Sequence, residues 1–338
     1  MADLRRRYVR ELPATRLPLI SRNRSVKAPG TGSESPNVAV GPGEAPWAIE
    51  AIRHGGGHPV GLNEAPVGLV WTDGLAAEEL RAVLESRPSI SWVQLPLAGV
   101  ERMVDAGVME RSRQWTSAKG AFAEPVAEHA MALLFAGLRL LPERARARSW
   151  GKPGGVSLFD QPLTIVGAGG IATVLVRLLR PFRVRVTVVR RRAEPFPGAA
   201  RTVGVDQLNE ALLGARAVVL ALALTHGTRR LIGRAELDAM GRDAWLVNVA
   251  RGQLVDTDSL TGALDSGRIG GASLDVTDPE PLPASHRLWT LHNCLITPHT
   301  ADTEEMTRPL LCARISENVR RLAAGRELVG LVDPDCGY

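Results

Sequence analysis

Four polar side chains in the last third of the chain each come shortly after an apolar run that predicts a strand. They are Arg251, Asp275, Glu280 and His299. A guanidinium holds a carboxylate through two parallel hydrogen bonds, and an imidazolium delivers a proton when a neighbouring carboxylate keeps it charged and oriented. Arginine, glutamate and histidine together therefore suit hydride transfer to a 2-oxo acid. Arg251 would bind the substrate, and His299 with Glu280 would transfer the proton.

A glycine-rich turn between an apolar strand and a helix predicts a second kind of site. The segment 163–172 reads Leu-Thr-Ile-Val-Gly-Ala-Gly-Gly-Ile-Ala. Gly167 allows the tight turn, and Gly169 lets the backbone approach a pyrophosphate. The N–H groups of Gly170 and Ile171 would hold the phosphates at the positive end of the helix. Because strand and helix flank the turn, we interpret it as a dinucleotide site rather than a packing turn.

The strand that follows this turn ends in arginines, where an NAD site usually has an acid. The run 183–189 leads into Arg190 and Arg191, and the next carboxylate is Glu194. Guanidinium groups suit a phosphate and offer nothing specific to a ribose hydroxyl. The sequence therefore predicts a preference for NADP(H) over NAD(H). The alternative is that these residues reflect general arginine bias, since the chain has 38 arginines and 3 lysines.

The elements that must position these groups form two runs of alternating strands and helices. The first run has predicted strands near 37–41, 66–71 and 91–95, with helices at 47–54 and 76–86. A long amphipathic helix is predicted at 123–141. The second run has predicted strands at 163–166, 184–189, 217–224, 244–249, 271–275 and 294–296. Such alternation is typical of α/β proteins, and it predicts two doubly wound parallel-sheet domains.

The net charge of +5 does not indicate a nucleic-acid partner. Residues 1–35 contain 8 basic and 3 acidic side chains, whereas the remaining 303 residues contain 33 of each. We interpret 1–35 as a disordered basic arm and the rest as a neutral body, without the basic face that nucleic-acid binding requires.

Three cysteines without a CxxC pair predict neither a disulfide framework nor a metal site. The apolar segments, such as 217–224, are too short to span a bilayer. We therefore expect a cytoplasmic protein without a membrane partner. Glu128 and His129 lie on the apolar helix, and we interpret both as structural.

The motifs and their order resemble the D-isomer-specific 2-hydroxyacid dehydrogenases, in particular those like glyoxylate/hydroxypyruvate reductase. The resemblance runs from about residue 37 to the last residue, and its motifs are Leu97-Ala-Gly-Val, Val126-Ala-Glu-His, 167–172, Asn248-Val-Ala-Arg-Gly, 275–283 and Thr297-Pro-His. It implies a Rossmann coenzyme domain, 117–297, inserted into a flavodoxin-like substrate-binding domain made from 36–116 and 298–338. It also implies a homodimer formed through the long helix.

The same resemblance implies roles for individual residues. It makes Arg251 the substrate-binding arginine, His299 the acid/base and Glu280 the partner of that histidine. The backbone N–H groups of Ala98 and Gly99 would receive the substrate carboxylate. The cofactor-binding residues would be Gly167, Gly169, Gly170, Ile171, Arg190, Arg191, Thr225 and Asp275, with Asp275 near the nicotinamide carboxamide. Thr277, Asp302 and Ser117 depart from residues common in the family, which leaves the substrate open.

These observations predict an NADP(H)-dependent enzyme that reduces a small 2-oxo acid, such as glyoxylate or hydroxypyruvate, with NAD as the second choice of cofactor. One alternative is an enzyme like 3-phosphoglycerate dehydrogenase. Its substrate phosphate would need extra cations, and near the carboxylate loop the sequence offers Arg102. The other alternative is a dinucleotide-sensing binding protein on the same scaffold.

Overall fold

The computed structural model describes residues 35–338. The predicted disordered arm, 1–35, lies outside the described residues except for its last position. The strands are β1 Asn37–Gly41, β2 His58–Pro59, β3 Gly68–Trp71, β4 Trp92–Gln94, β5 Gln114–Thr116, β6 Pro162–Val166, β7 Arg185–Val189, β8 Arg201–Val203, β9 Ala217–Leu220, β10 Trp245–Asn248, β11 Gly271–Leu274 and β12 Cys294–Ile296. The α-helices are α1 Pro46–His54, α2 Ala77–Glu85, α3 Glu101–Asp105, α4 Ala123–Leu138, α5 Leu141–Arg146, α6 Gly170–Leu179, α7 Leu208–Leu212, α8 Arg234–Met240, α9 Thr257–Asp265 and α10 Glu304–Ala323.

The strands form two parallel sheets. Five strands pair in the order β2-β1-β3-β4-β5, and seven pair in the order β12-β11-β10-β9-β6-β7-β8. The first order is that of flavodoxin-like sheets, and the second extends the Rossmann order by one strand. The predicted fold class is confirmed.

The central strands are buried on both faces, which explains why they are apolar without alternation. All four residues of β3, β9, β10 and β11 are buried. Parallel strands need crossover connections, and helices in those connections cover both faces of the sheet. The sequence therefore shows short apolar runs separated by helical patterns.

Helix α4 packs closely on the seven-stranded sheet. A side chain on Gly137 would overlap with the indole ring of Trp245, so the helix approaches the sheet where it has no Cβ. The indole Nε1 of Trp245 donates to Ser273 Oγ (2.9 Å), and that hydroxyl donates to the carbonyl of Leu133 (3.2 Å). These contacts fix α4 against β10 and β11.

The last helix returns to the five-stranded sheet. In α10, Ser316 Oγ donates to the carbonyl of Ala51 in α1 (2.7 Å). Asn318 is fully buried, and its Nδ2 donates to Gln94 Oε1 of β4 (2.9 Å). The chain therefore crosses from the first sheet to the second and back again.

Two predicted elements extend three or more residues beyond the end that the structure gives them. The helix predicted at 123–141 ends at Leu138, because Pro142 cannot donate to the carbonyl of Leu138 and its ring would clash there. The N–H of Val156 donates to that carbonyl instead (2.7 Å). The strand predicted at 217–224 ends at Leu220, although the apolar run continues into a buried loop that includes Leu224.

Within residues 35–338, none of the helices combines the length and apolar character needed to cross a bilayer. The same part of the chain contains no group of three or more histidine, cysteine, aspartate or glutamate side chains arranged to hold a metal ion. The cytoplasmic location stays a prediction.

Candidate active site

Several predicted site residues lie at the carboxyl edge of the seven-stranded sheet. Arg251 follows β10, Asp275 follows β11 and His299 follows β12, and these three strands are neighbours. Because they run parallel, their carboxyl ends share one edge, where open α/β sheets bind ligands. The carboxyl group of Asp302 lies within electrostatic reach of both His299 and Arg251.

His299 and Glu280 form a short ion pair at this edge. His299 Nδ1 lies 2.6 Å from Glu280 Oε1, and the two side chains are 42% and 38% exposed. The second oxygen of Glu280 accepts the N–H of Thr277 (3.4 Å). A carboxylate on Nδ1 fixes the tautomer and the orientation of the imidazole. The opposite nitrogen, Nε2, is the one available to a substrate.

The backbone of His299 adopts a conformation that is uncommon for residues other than glycine. Its φ is +49°, in the left-handed region, and such residues cluster at active sites. The His299 N–H donates to the carbonyl of Asp275 (2.8 Å). The carboxylate of Asp275 accepts the next N–H groups, from Thr300 (3.0 Å) and Ala301 (3.1 Å). Asp275 therefore holds the loop in the shape that presents the imidazole.

The carboxylate of Asp275 is buried and has two further donors. Thr297 Oγ1 donates to its Oδ1 (2.6 Å), and His129 Nε2 of α4 lies 3.2 Å from the same oxygen. Burial alone would raise the pKa of Asp275, but hydrogen bonds from His129, Thr297 and the two backbone N–H groups lower it to about 2. The carboxylate is therefore charged throughout the physiological range. Its predicted contact with the nicotinamide carboxamide stays a prediction.

Arg251 meets the predicted carboxylate loop, which follows β4 of the other sheet. Arg251 Nη2 lies directly beside Gly99, and a side chain at that position would have to displace the guanidinium. Ala98 is exposed beside it. Arg251 Nε donates to Glu101 Oε1 (2.9 Å), and Nη1 donates to the carbonyl of Ala250 (2.7 Å). The guanidinium is thus held across the cleft between the two sheets.

The glycine-rich turn has the shape that a dinucleotide needs. Gly167 has a φ of +120°, and a side chain there would overlap with the carbonyl oxygen of Ala221. Helix α6 begins at Gly170, so the N–H groups of Gly170 and Ile171 belong to its first turn. The space beside Gly169 is open. These residues fit a pyrophosphate at the positive end of α6.

Arg190 stands at the end of β7, where the sequence places the ribose site. Its backbone N–H donates to the carbonyl of Val203 (3.0 Å). Its guanidinium is 21% exposed, with Nη2 3.5 Å from Glu194 Oε2 and Nη1 donating to the Glu194 carbonyl (3.3 Å). Glu194 thus reaches back to Arg190 although it follows four residues later. A cofactor phosphate at this arginine would share it with Glu194.

The remaining predicted cofactor residues have partners within the protein. The guanidinium of Arg191 lies over the ring of Tyr338, 5.4 Å from its centre. The N–H of Thr225, in the loop after β9, donates to Thr228 Oγ1 (2.8 Å). The cofactor contacts of Arg190, Arg191 and Thr225 stay predictions.

Sequence reasoning missed two residues of this site. Glu101 directly follows the Leu97–Val100 motif, and that position is the one signal that points to it. His129 was interpreted as structural together with Glu128. In the structure His129 contacts the carboxylate of Asp275, which holds the His299 loop. His129 therefore has a structural role, but within the site.

The comparisons with known proteins agree with this geometry. The model of the D-isomer specific 2-hydroxyacid dehydrogenase NAD binding domain matches residues 129–301. Over 294 residues the chain is 36% identical to a protein of Corynebacterium melassecola described as an uncharacterized protein in the proB 3' region, which covers 85% of this chain and 95% of the relative. It is 31% identical over 276 residues to a glyoxylate reductase of Korarchaeum cryptofilum, covering 78% and 81%.

The fold is also similar to that of a solved structure. A D-isomer specific 2-hydroxyacid dehydrogenase from Xanthobacter autotrophicus Py2, in complex with NADPH and MES, aligns with a TM-score of 0.78 at 25% identity. The alignment covers 90% of this chain and 100% of that one. The chain belongs to the D-isomer-specific 2-hydroxyacid dehydrogenase family and is an NAD(P)-dependent oxidoreductase.

Replacing Asp275 by asparagine should make the acid stability of the protein less dependent on pH. Asp275 has a lowered pKa, so its contribution is complete above the unfolded value of 3.8 and is lost as pH falls towards about 2. The wild type should lose about 2 kcal/mol of unfolding free energy from this group between pH 5 and pH 2. Urea unfolding at a series of pH values measures the loss.

The control is Asp265→Asn, which removes an exposed carboxylate paired with Arg287. Its unfolding free energy should follow the pH dependence of the wild type. Equal slopes for Asp275→Asn and the wild type between pH 5 and pH 2 would contradict the role given to Asp275.

Proposed function

We propose that this protein reduces a small 2-oxo acid, such as glyoxylate or hydroxypyruvate, with NADPH as the preferred electron donor. The observation that carries the proposal is the His299–Glu280 pair, 2.6 Å long, at the same sheet edge as Arg251. The name of the Korarchaeum relative supports glyoxylate as a substrate.

In this proposal the chain's own residues bind the acid and supply the proton. Arg251 and the backbone N–H groups of Ala98 and Gly99 hold the substrate carboxylate, which directs the carbonyl oxygen towards His299. His299 donates a proton from Nε2 to that oxygen as it gains negative charge, and Glu280 stabilises the imidazolium before transfer. A reduced nicotinamide supplies the hydride when it is bound. The products are the 2-hydroxy acid and the oxidised cofactor.

The cofactor would lie along the carboxyl edge of the seven-stranded sheet. Gly167, Gly169, Gly170 and Ile171 would hold its pyrophosphate, with Thr225 and Asp275 further along the edge. Arg190 and Arg191 would hold the 2′-phosphate of NADP. The arginine bias of the chain is the competing explanation for these residues, and the NADPH in the Xanthobacter relative favours the phosphate.

The division into domains is part of the same proposal. Residues 36–116 and 298–338 would form the substrate-binding domain, and 117–297 the coenzyme domain. Two observations support this division: α10 packs on α1, and the N–H of Ser117 donates to the carbonyl of Gly330 (2.9 Å). Substrate would then bind between the two domains.

Replacing His299 by alanine should lower kcat for glyoxylate and hydroxypyruvate by about 100- to 10,000-fold, because general acid catalysis contributes that much. NADPH binding, followed by fluorescence titration, should persist. His292→Ala is the matched control, since His292 is exposed in the turn before β12 and should keep full activity. Undiminished turnover in His299→Ala would refute the proposed acid. If the wild type binds the cofactor but turns over none of the 2-oxo acids, the dinucleotide-sensing alternative would be favoured.

Replacing Arg190 by alanine should raise the KM for NADPH about tenfold or more and leave the KM for NADH nearly unchanged. The reason is that only NADPH brings a phosphate to this guanidinium. Arg183→Ala is the control. Arg183 lies before β7, at the end opposite to Arg190, and is paired with Asp160. Initial rates at 340 nm give both values. An equal change in the KM values for NADPH and NADH would mean that Arg190 does not bind the 2′-phosphate.

We also propose a homodimer formed through the segment around and after α4. Apolar side chains are exposed there: Leu141 is 52% exposed, Trp150 99% and Phe159 45%. These three side chains lie within 18 positions of one another in the sequence, and exposed apolar patches mark interaction surfaces in soluble proteins. Light scattering should give twice the chain mass, and Trp150→Glu combined with Phe159→Glu should reduce it to the chain mass. A monomeric wild type would exclude the dimer.

A further inference from the structure

The guanidinium of Arg251 already has a carboxylate partner within the chain. Arg251 Nε lies 2.9 Å from Glu101 Oε1, and the two side chains are 31% and 22% exposed. The two residues are 150 positions apart, and each follows a strand of a different sheet. The pair therefore lies in the cleft and is partly protected from solvent.

Each donor nitrogen of Arg251 has its own surroundings. Nε donates to Glu101, Nη1 donates to the carbonyl of Ala250 (2.7 Å), and Nη2 faces Gly99. The side-on contact through Nε leaves the Nη2 edge towards the carboxylate loop. A substrate carboxylate bound at Nη2 and Gly99 would thus have Glu101 as its immediate neighbour.

Cations and carboxylates are matched around the substrate position. Glu101 balances Arg251, and Glu280 balances His299. Asp302, which the charges of both cations reach, adds another carboxyl group on the same side. Burial raises the pKa of Asp302, while His299 and Arg251 act to lower it. Arg251 and His299 therefore each have a carboxyl group beside them, and neither is left over to hold a second negative group of a substrate.

We propose that Glu101 is a positioning and specificity-determining residue, which orients Arg251 through Nε and restricts the site to 2-oxo acids that carry a single negative charge. The proposal rests on the proposed function. It deepens that function, because it names singly charged acids such as hydroxypyruvate as substrates and excludes their phosphorylated and dicarboxylic counterparts.

The physical basis is Coulomb repulsion in a partly buried cleft. Two like charges a few ångströms apart near a protein surface repel by more than the thermal energy, and burial limits screening by salt. A substrate with one negative charge gains the attraction of Arg251 and is repelled by one carboxylate, that of Glu101. A phosphorylated acid adds charge that Glu101 opposes, so it should bind much more weakly.

The test compares hydroxypyruvate with its 3-phosphate, which differ by one charged group. In Glu101→Gln the amide oxygen still accepts from Nε, but the charge is gone. We expect kcat/KM for the phosphate ester to rise about tenfold relative to that for hydroxypyruvate. In Glu101→Ala the acceptor is also lost, so kcat for hydroxypyruvate should fall about tenfold further than in Glu101→Gln because Arg251 is no longer held.

Glu50→Gln is the matched control. Glu50 is exposed on α1 and pairs with Arg53 and His54 of its own helix, so its loss changes the net charge equally. Its ratio of kcat/KM values should equal that of the wild type. Thermal unfolding of all variants separates loss of fold from loss of function.

The outcomes distinguish this inference from the proposed function. If the wild type reduces hydroxypyruvate and Glu101→Gln keeps the wild-type ratio, charge selection by Glu101 is wrong while the proposed function stands. If Glu101→Ala and Glu101→Gln have equal kcat values, the positioning role is wrong. If the wild type reduces no 2-oxo acid, both the proposed function and the inference fail. A wild type that prefers the phosphate ester would overturn the inference alone.

Discussion

The hydrogen bonds to the buried carboxylate of Asp275 fix the loop that carries His299, and the other groups of the site are arranged around that loop. Thr297, Thr300 and Ala301 all donate to this one carboxylate. A buried charge is tolerated only when it is so fully bonded. The left-handed backbone of His299 is maintained by these contacts, and it brings the imidazole to Glu280.

Much of the fold and the local part of the site could be predicted from the sequence. Apolar runs separated by helical patterns indicate parallel sheets, because buried parallel strands do not alternate. The glycine-rich turn has its own local signature, and Gly167 is also required by the close approach of the Ala221 backbone, which follows the neighbouring strand β9. His299 and Glu280 could be paired in advance because a histidine acid needs a carboxylate partner and the order of the motifs resembles that of the family.

The groups that sequence reasoning missed depend on contacts between distant parts of the chain. His129 meets Thr297 across 168 residues, and Glu101 meets Arg251 across 150. A histidine on an apolar helix or a glutamate at the start of a short helix has no local pattern that predicts its partner. The end of α4 at Leu138 depends on Pro142, which has no backbone N–H to donate. The pattern of hydrophobic residues from which the helix was predicted contains no information about that missing donor.

The crossing of the chain between the two sheets has a mechanical consequence. Although the proposed boundary at 297 falls just before it, His299 is tied by Asp275 to the seven-stranded sheet, whereas Gly99 belongs to the five-stranded one. A hinge rotation of one sheet relative to the other would change the distance from Gly99 to His299 but leave His299 and Glu280 together. A substrate touching both sides would then draw them together, and closure would expel water and align the proton donor in a single movement.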